Sequence, residues 1–337
     1  MIELSLKNIS KYYGAHQILS NISFELKTKE RVGLIGANGT GKTTIFKIIT
    51  GEEPQDSGEI NKRKDLKIGC LRQIPVYPDG YTVEDVLNTS FAEHQKVQQK
   101  LNQLEHQMTS QSSSNLENTI RDYGKLQQTF EEMGGYQIEL DINRICNGLN
   151  ISRDLRQRKF NLLSGGEKTT TILAQLLLKQ PDLLLLDEPS NHLDIESLEW
   201  LEEYLKQYEG TVCIISHDRY FLDQVVTRVI EVESGECNVY HGDYSYFMKE
   251  KERRLMEQFE QYQNQQKKIK AIEKTIKDLK DWGNRAENPK FHKRAASMQK
   301  RLDKMEKIEK VALEQRKVNL GFSDGGRSSN EVFVQRN

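Results

Sequence analysis

A glycine-rich segment that ends in a lysine and a threonine is the part of the sequence best equipped for chemistry. It fits the pattern G-x-x-x-x-G-K-[ST] with the residues Gly36-Ala37-Asn38-Gly39-Thr40-Gly41-Lys42-Thr43. Glycines let backbone N–H groups turn inward around phosphate oxygens, and the N-terminus of a following helix adds its positive end. Lys42 can place a charge between a β- and a γ-phosphate, and Thr43 can offer a hydroxyl to Mg²⁺. The segment therefore predicts a site for a nucleoside triphosphate.

Two adjacent carboxylates and a histidine could complete such a site. Asp187 follows the apolar run 183–186, so its carboxylate is expected at the mouth of a sheet beside the metal, while Glu188 can act on a water as a general base. His217 follows the apolar run 211–215 and is expected to contact the γ-phosphate. Taken alone, the pair could be a solvated turn and the histidine a structural one. Their order after the glycine-rich segment favours the chemical roles.

Two further signals concern a helix start and a lone glutamine, of which the glutamine is the weaker. The segment Ser164-Gly165-Gly166-Glu167 offers a hydroxyl and backbone amides at a helix start, and its glutamate can close a capping box. Because the glycine-rich segment already supplies a phosphate site, this second one is expected to face a nucleotide held by another unit. Gln73 follows the apolar residues 68–71 and is expected to bind Mg²⁺ or a water, although by itself it is only a polar residue.

The elements that must position these residues can be read from the apolar pattern. Alternation over about residues 2–26, with a turn at Gly14, predicts antiparallel strands. The apolar run 31–35 leads directly into the glycine-rich segment, and isoleucines recur after it at helical spacing. This strand, loop and helix are the context that the pattern requires. With buried strands at 183–186 and 211–215, the predicted fold class is α/β.

Two helical segments lie outside this core. Residues 84–130 predict a short polar helical hairpin inserted into the core, with a solvated excursion that has no partner as the alternative. Past Tyr246, apolar residues on a heptad seam predict an antiparallel coiled coil with its tip near residues 281–292. Residues 267–317 hold 17 Lys/Arg against 8 Asp/Glu, a net +9 in a chain of net charge -1. An anionic partner is therefore expected for this segment.

Composition narrows the class of protein and its location. The 337 residues suggest about two domains. The four cysteines form no C-x-x-C pair, so neither a disulfide scaffold nor a zinc site is expected. The expected location is the reducing cytosol. The longest apolar run, 183–186, is far shorter than the roughly 20 residues of a membrane span, and the N-terminus lacks a signal-peptide pattern. The sequence predicts a cytoplasmic protein without membrane insertion.

The ordered motifs resemble those of the ATP-binding-cassette (ABC) ATPases over about residues 1–240. Residues 36–43 match Walker A, 163–167 the LSGGE signature, 183–188 Walker B and 190–194 the D-loop. The resemblance implies a P-loop NTPase cassette with a RecA-like core, an antiparallel β subdomain and a helical subdomain. It implies ATP-binding residues Tyr13 (with Tyr12 as the alternative adenine-stacking ring), Gly36, Asn38, Gly39, Gly41, Lys42, Thr43 and Thr44; catalytic residues Glu188, His217 and Gln73; Mg²⁺ ligands Thr43, Gln73 and Asp187; and signature residues Ser164, Gly165, Gly166 and Glu167.

Within that superfamily the chain looks like the N-terminal half of an ABC-F protein, a tandem-cassette class that acts on ribosomes. Residues 187–194, 216–223 and 288–302 carry this resemblance. It implies ATP and Mg²⁺ as cofactors, ATP hydrolysis, and the ribosome with its rRNA and tRNA as partner. It also implies an arm at 84–130 that touches the ribosome and a linker directed to the tRNA and peptidyl-transferase region. Basic residues near the linker tip are the candidate RNA contacts: Arg285, Lys290, Lys293 and Arg294.

The chain departs from the ABC-F pattern because it carries one cassette where the class carries two. We expect an ABC ATPase domain at 1–245, a basic coiled-coil interdomain linker at 246–317 and the start of an incomplete second ABC domain at 318–337, as part of a longer protein. Without the opposing signature, hydrolysis is expected to be weak unless the chain meets a second cassette or a homodimer mate.

Other classes of protein share the cassette motifs. The alternative function is the cytoplasmic ATPase subunit of an ABC transporter, against which the basic coiled coil after His217 argues. A chromosome-structure or repair ATPase would instead place a longer coiled coil between Walker A and the signature. The linker could also be a solvated spacer between domains. The motifs leave open whether the task is general translation, rescue of stalled ribosomes or antibiotic resistance by ribosomal protection.

Overall fold

A computed structural model describes residues 1–71, 75–110, 116–286 and 289–305. The chain divides into two compact units, of which the first spans Met1–Glu250 and the second begins at Lys251. The residues expected to begin a second ABC domain, 318–337, lie outside the described part of the chain.

The described residues contain nine strands in two sheets. The strands are β1 (Ile2–Tyr13), β2 (His16–Lys27), β3 (Arg31–Ile35), β4 (Ser57–Lys62), β5 (Ile68–Leu71), β6 (Leu183–Asp187), β7 (Thr211–Ile215), β8 (Arg228–Glu233) and β9 (Glu236–His241). The smaller sheet is antiparallel with the order β2-β1-β4, as the alternating pattern near the N-terminus predicts. The larger sheet has the order β5-β6-β7-β3-β8-β9 and is parallel except for β9.

Parallel pairing brings the carboxyl ends of β3, β6 and β7 to one edge of the larger sheet. Gly33 of β3 and Leu186 of β6 both lie beside Ile214 of β7, and Asp187 lies beside Ile215. Ligands of open parallel sheets bind at the carboxyl ends of the strands. The glycine-rich segment, the Asp-Glu pair and the residues after β7 are therefore brought to this same edge.

The first unit also contains most of the described helices. They are α1 (Lys42–Thr50), α2 (Val83–Asn88), α3 (Ala92–Ser110), α4 (Leu116–Glu132), α5 (Ile138–Gly148), α6 (Arg153–Arg156), α7 (Gly165–Lys179), α8 (Ile195–Gln207) and α9 (Arg219–Val225). Helices α3 and α4 pack on each other and lie at the place of the predicted helical arm. The predicted α/β architecture, with its antiparallel β unit and inserted helices, is confirmed.

The larger sheet is covered on both faces, and strand β6 shows how. All four of its leucines are fully buried. Leu184 and Leu186 belong to one apolar cluster, with helices α2, α5, α7, α8 and α9, while Leu183 and Leu185 belong to another, with α1 and the smaller sheet. Alternate residues of a strand point to opposite faces, so an unbroken leucine run fits a strand buried on both sides.

Arg31, the first residue of β3, connects the start of this strand to the loop after α8. Its buried guanidinium donates to the carbonyls of Leu205 at 2.6 Å, Gly210 at 2.9 Å and Lys29 at 3.0 Å, and also to that of Tyr208. Burial lowers the pKa of Arg31, and the nearby Tyr208 and Glu209 oppose that shift. Backbone carbonyls, rather than an ion pair, thus supply the hydrogen bonds that this buried cation needs.

The described part of the second unit is helical. Helix α10 (Tyr244–Ala286) ends and helix α11 (Pro289–Asp303) begins within the expected tip region. The two helices share one apolar cluster, formed by Ile269, Ile276, Leu279, Ala295 and Leu302. This is the contact that a helical hairpin needs, while the coiled-coil geometry stays a prediction. In the part of the chain that the structure describes, no helix is long and apolar enough to cross a membrane.

Candidate functional site

The glycine-rich segment forms a tight loop between β3 and α1. All five residues of β3 are buried, and α1 begins at Lys42. A Cβ atom on Gly36 would lie 2.4 Å from the carbonyl oxygen of Val232, and one on Gly41 would lie 2.5 Å from Cδ2 of Leu19. Gly41 also has a φ of +96°, in the left-handed region. Packing and backbone conformation therefore both require glycine at Gly41.

Lys42 is folded back into this loop. Its Nζ donates to the carbonyl oxygens of Gly36 and Ala37, each at 2.9 Å. Burial lowers the pKa of the Lys42 ammonium, and the nearby carboxylates of Glu188 and Asp187 oppose that shift. An ammonium has three N–H groups, so these two carbonyls leave one donor for an anion in the loop.

A hydroxyl and a carboxylate meet beside the lysine, as the Mg²⁺ prediction requires. Thr43 Oγ1 donates to Asp187 Oδ2 at 3.0 Å, although 144 positions separate the two residues. Mg²⁺ in nucleotide sites is held by one or two protein oxygens together with phosphates and waters. Among the described residues there is no group of three or more His, Cys, Asp or Glu side chains placed to hold a metal ion. The donor set fits a metal that the phosphates of a nucleotide also hold.

Glu188 and His217 face each other across the ends of β6 and β7. The His217 backbone N–H donates to Glu188 Oε2 at 3.3 Å, and His217 Nε2 lies 3.8 Å from Glu188 Oε1. Burial raises the pKa of the Glu188 carboxyl, which the hydrogen bond from His217 partly offsets. A raised pKa makes this carboxylate a better proton acceptor. His217 Nε2 is also 2.9 Å from Asn38 Oδ1, so the histidine reaches the glycine-rich loop.

The backbone of Glu188 is unusual for a residue with a side chain. Its φ is +51°, in the left-handed region. Its N–H donates to the carbonyl oxygen of Ile215 at 2.8 Å, which fixes the peptide. Non-glycine residues in this region are uncommon and cluster at functional sites, where the surrounding structure holds them.

These residues line one open cleft of about 600 Å³. Its predicted members are Tyr13, Asn38, Gly39, Gly41, Lys42, Thr43, Thr44, Asp187, Glu188 and His217. Sequence reasoning missed Ile18 and Ile215 as site residues and named Asn191 only as part of the D-loop. An isoleucine side chain gives no indication of a binding role in the sequence, and whether it reaches the cleft depends on how its strand lies in the fold. Gln73 lies outside the described residues.

The signature segment lies elsewhere in the first unit. Ser164 caps α7: its Oγ accepts from the Glu167 N–H at 3.3 Å, and its own N–H donates to Glu167 Oε2 at 2.8 Å. The predicted capping box is thus confirmed. Ser164, Gly166 and Glu167 line a separate cavity of about 330 Å³. The structure therefore does not bring the signature and the glycine-rich loop together within the described chain.

One turn contacts both cavities. The short turn Pro189–His192 follows Glu188. Asn191 lines the cleft around Lys42, whereas the next residue, His192, lines the signature cavity and lies beside Gly166. Adjacent residues of the chain thus belong to two different sites.

The candidate RNA contacts lie in the second unit. Arg285 is in α10, and exposed side chains of Lys290, Lys293 and Arg294 are on α11. Exposed basic side chains on a helix can reach phosphates.

Comparison with known proteins gives the following matches. A family model described as ABC transporter matches residues 19–191, and a second with the same description matches residues 230–320. YdiF of Bacillus subtilis is 38% identical over 333 residues, which are 99% of this chain and 51% of YdiF. The ABC transporter F family member 2 of Arabidopsis thaliana is 34% identical over 98% of this chain and 49% of its own length.

A third relative carries a functional name. The energy-dependent translational throttle protein EttA of Escherichia coli K12 is 34% identical over 72% of this chain and 43% of EttA. The chain thus spans about half the length of these curated relatives.

Two solved structures share the fold. One is described as the ATP-binding subunit of an ABC transporter and matches at a TM-score of 0.53 with 18% identity over 71% of this chain and 90% of that one. The other is a dimeric ATP-binding cassette, MJ0796, bound to ADP and Pi, with a TM-score of 0.50 and 20% identity over 71% of this chain and 98% of that one.

Proposed function

The chain belongs to the ABC transporter family of ATP-binding cassettes, and from that premise we propose that it binds ATP with Mg²⁺ in the cleft around Lys42 and hydrolyses it together with a second cassette. The observation that carries this proposal is the convergence of Lys42, Thr43, Asp187, Glu188 and His217 on one cleft. These are the parts that phosphoryl transfer to water needs: a cation for the phosphates, oxygens for the metal and a carboxylate for the water.

Each residue would have a distinct role in this reaction. Backbone amides of the loop and the Lys42 ammonium would bind the phosphates, while Thr43 and Asp187 would hold Mg²⁺. The metal would neutralise charge on the β- and γ-phosphates. Glu188, with its raised pKa, would accept a proton from the attacking water. His217, in contact with both Glu188 and Asn38, would orient the γ-phosphate against that water.

A second cassette is needed because the signature cavity is separate from the cleft. Ser164 and Gly166 line a cavity of about 330 Å³ that would receive the phosphates of a nucleotide bound to another cassette. That cassette would come from the rest of a longer protein or from a second copy of this chain. The half-length coverage of the relatives and the dimeric MJ0796 cassette support either source.

For the whole protein we propose a role on the ribosome in the cytoplasm. Its support is the similarity to EttA and to the F family member, together with the basic composition of residues 267–317. In this proposal Arg285, Lys290, Lys293 and Arg294 contact RNA, and the linker is directed to the tRNA and peptidyl-transferase region. A translation factor and a ribosomal-protection protein would both use this arrangement. A transporter ATPase subunit is the second candidate, favoured by the description of both matching family models.

Co-sedimentation with ribosomes tests this proposal. The complete protein with Glu188→Gln should pellet with ribosomes in ATP but not in ADP. Charge reversal of Lys290, Lys293 and Arg294 to Glu should abolish pelleting, because phosphate contacts dominate affinity for RNA. Reversal of three exposed lysines on the small sheet is the matched control and should leave pelleting intact: Lys7, Lys27 and Lys62.

The outcomes separate the candidates. Failure of the intact Glu188→Gln protein to bind ribosomes in ATP would overturn the ribosomal role and favour a search for a membrane partner. Equal loss from both sets of reversals would refute the assignment of the RNA contacts to the linker.

A further inference from the structure

The loop after α1 holds the ring that is expected to stack on adenine. Tyr13 OH donates to the carboxylate of Glu53, and Lys47 Nζ donates to the other carboxylate oxygen of Glu53 at 2.6 Å. We propose that Glu53 is a positioning residue for nucleotide binding, which fixes the ring of Tyr13 relative to α1, the helix that begins with Lys42. This inference rests on the proposed function, because it takes the cleft to be an ATP site.

Tyr13 needs such support because of its place in the fold. It is the last residue of β1 and pairs with His16 across the turn at Gly14. Its side chain is 44% exposed and lines the cleft. A ring at the end of a two-stranded hairpin has little packing to fix it, so the hydrogen bond from its phenol to Glu53 supplies the constraint.

Lys47 connects this constraint to the phosphate site. It lies on α1, the helix that begins with Lys42. Glu53 is bonded to it twice, through the side-chain pair and through the Glu53 N–H, which donates to the Lys47 carbonyl oxygen at 3.3 Å. The hydrogen bonds from Lys47 and Tyr13 lower the pKa of Glu53, so the carboxylate is ionised at neutral pH and accepts from both. A chain of two charge-assisted bonds thus joins α1 to the ring.

The same loop holds the neighbouring residues of β1. Lys11 Nζ donates to the carbonyl oxygen of Pro54 at 2.6 Å and lies 5.8 Å from the centre of the Tyr13 ring. Asp56 Oδ2 accepts from the Tyr12 N–H at 2.6 Å. Lys11 places a cation near the ring, which favours a fixed ring position. The loop therefore determines where the end of β1 lies.

If Glu53 acts by positioning Tyr13, its loss should weaken the binding of the adenine base but not the binding of the phosphates. Stacking depends on the place and tilt of the ring, whereas the triphosphate would be bound by the loop around Lys42, by His217 and by the signature of the second cassette, without Tyr13. Loss of Glu53 should weaken ATP binding and leave the binding of inorganic tripolyphosphate unchanged. A merely structural role, in which the loop supports α1 as a whole, would weaken both ligands equally.

We would titrate the whole chain with ATP and with tripolyphosphate by calorimetry. Glu53→Ala and Tyr13→Phe should each weaken ATP binding about tenfold, which is the loss of one charge-assisted hydrogen bond. The double variant should be no weaker than either single one, because both remove the same bond. Glu52→Gln, a neighbouring carboxylate that accepts from Thr50 Oγ1 at 3.1 Å, is the matched control and should bind ATP as the parent does.

Each result has a defined meaning. Unchanged ATP affinity in Glu53→Ala, or equal loss of ATP and tripolyphosphate, would overturn the proposal. Should the alanine variant fail to fold, Glu53→Gln replaces the two acceptor oxygens of the carboxylate, which serve Tyr13 and Lys47, with the single oxygen of a neutral amide. It cannot accept both bonds as the carboxylate does, so it should still lose ATP affinity selectively, and no loss would overturn the proposal. If Tyr13→Ala leaves ATP affinity intact, the ring does not stack on the base and the proposal falls with it. A parent chain that binds neither ligand would refute the ATP site and hence the proposed function itself.

Discussion

Replacement of Arg31 should destabilise the first unit without altering the nucleotide site directly. In Arg31→Met the carbonyls of Leu205, Tyr208 and Gly210 lose a charged donor. Hydrogen bonds to charged groups contribute about 1.5–3 kcal/mol each. Taking a guanidinium out of water costs several kcal/mol, a cost that the lowered pKa of Arg31 reflects. The net loss should therefore be about 2–4 kcal/mol rather than the sum of the bonds.

Urea unfolding of the first unit would measure this loss. The chain has two tryptophans, Trp200 and Trp282, so a Trp282→Phe background leaves Trp200 as the reporter of the first unit. Arg31→Lys keeps the charge but not the fork of donors, and should cost less than Arg31→Met. Lys29→Met, which removes an exposed ion pair with Glu209, is the control and should change stability by less than about 1 kcal/mol.

The result that would refute this reasoning is a small effect. If Arg31→Met lowers the free energy of unfolding by less than about 1 kcal/mol at an unchanged m-value, the guanidinium does not hold the loop after α8. An equal loss in Lys29→Met would likewise show that charge in this region, and not the carbonyl contacts, determines stability.

Three further outcomes are expected. Glu188→Gln should lower ATP turnover by about 10²-fold or more. Because burial raises the pKa of the Glu188 carboxyl, the stability of the protonated form is lost as pH rises through that pKa, so the neutral amide should raise the melting temperature at pH 8 but not at pH 4. Glu202 is 6% exposed, its Oε1 has no hydrogen-bond partner, and burial raises the pKa of its carboxyl. In thermal melts, Glu202→Gln should therefore raise the free energy of unfolding by about 1 kcal/mol at pH 8 and leave it unchanged at pH 4. Thr43→Ala should weaken ATP binding about tenfold with Mg²⁺ and leave it unchanged in EDTA, because its hydroxyl faces Asp187; equal loss in both would contradict a metal role.

The convergence of the cleft residues can be inferred from the sequence because each of their motifs follows a strand of the parallel sheet. Lys42 comes after β3, Asp187 ends β6 and His217 follows β7, and these strands are neighbours whose carboxyl ends meet at one edge. The place of each residue at the carboxyl end of a buried strand is therefore enough to infer that the three converge. The family resemblance supplies the proposed roles of the residues, and the fold supplies their proximity.

Residues that depend on register could not be predicted in the same way. Ile18 reaches the cleft because β2 pairs antiparallel with β1, and Glu53 reaches Tyr13 because the loop after α1 returns to the end of β1. Neither residue type signals this: isoleucine fits any strand, and glutamate fits any exposed loop. Glu202 similarly looks like an ordinary charge on a helix, yet it is only 6% exposed in α8, a helix that packs against α5 and α9.

In the turn Pro189–His192, the number of residues is constrained more strongly than their types. Asn191 and His192 are consecutive, and each lines a different cavity. One inserted residue would rotate or displace at least one of these side chains, since successive residues of a turn point in different directions. Substitutions at these two positions alter one cavity at a time, whereas a change in length would alter both. Among homologous chains, this turn should therefore tolerate variation in residue type far better than insertion or deletion.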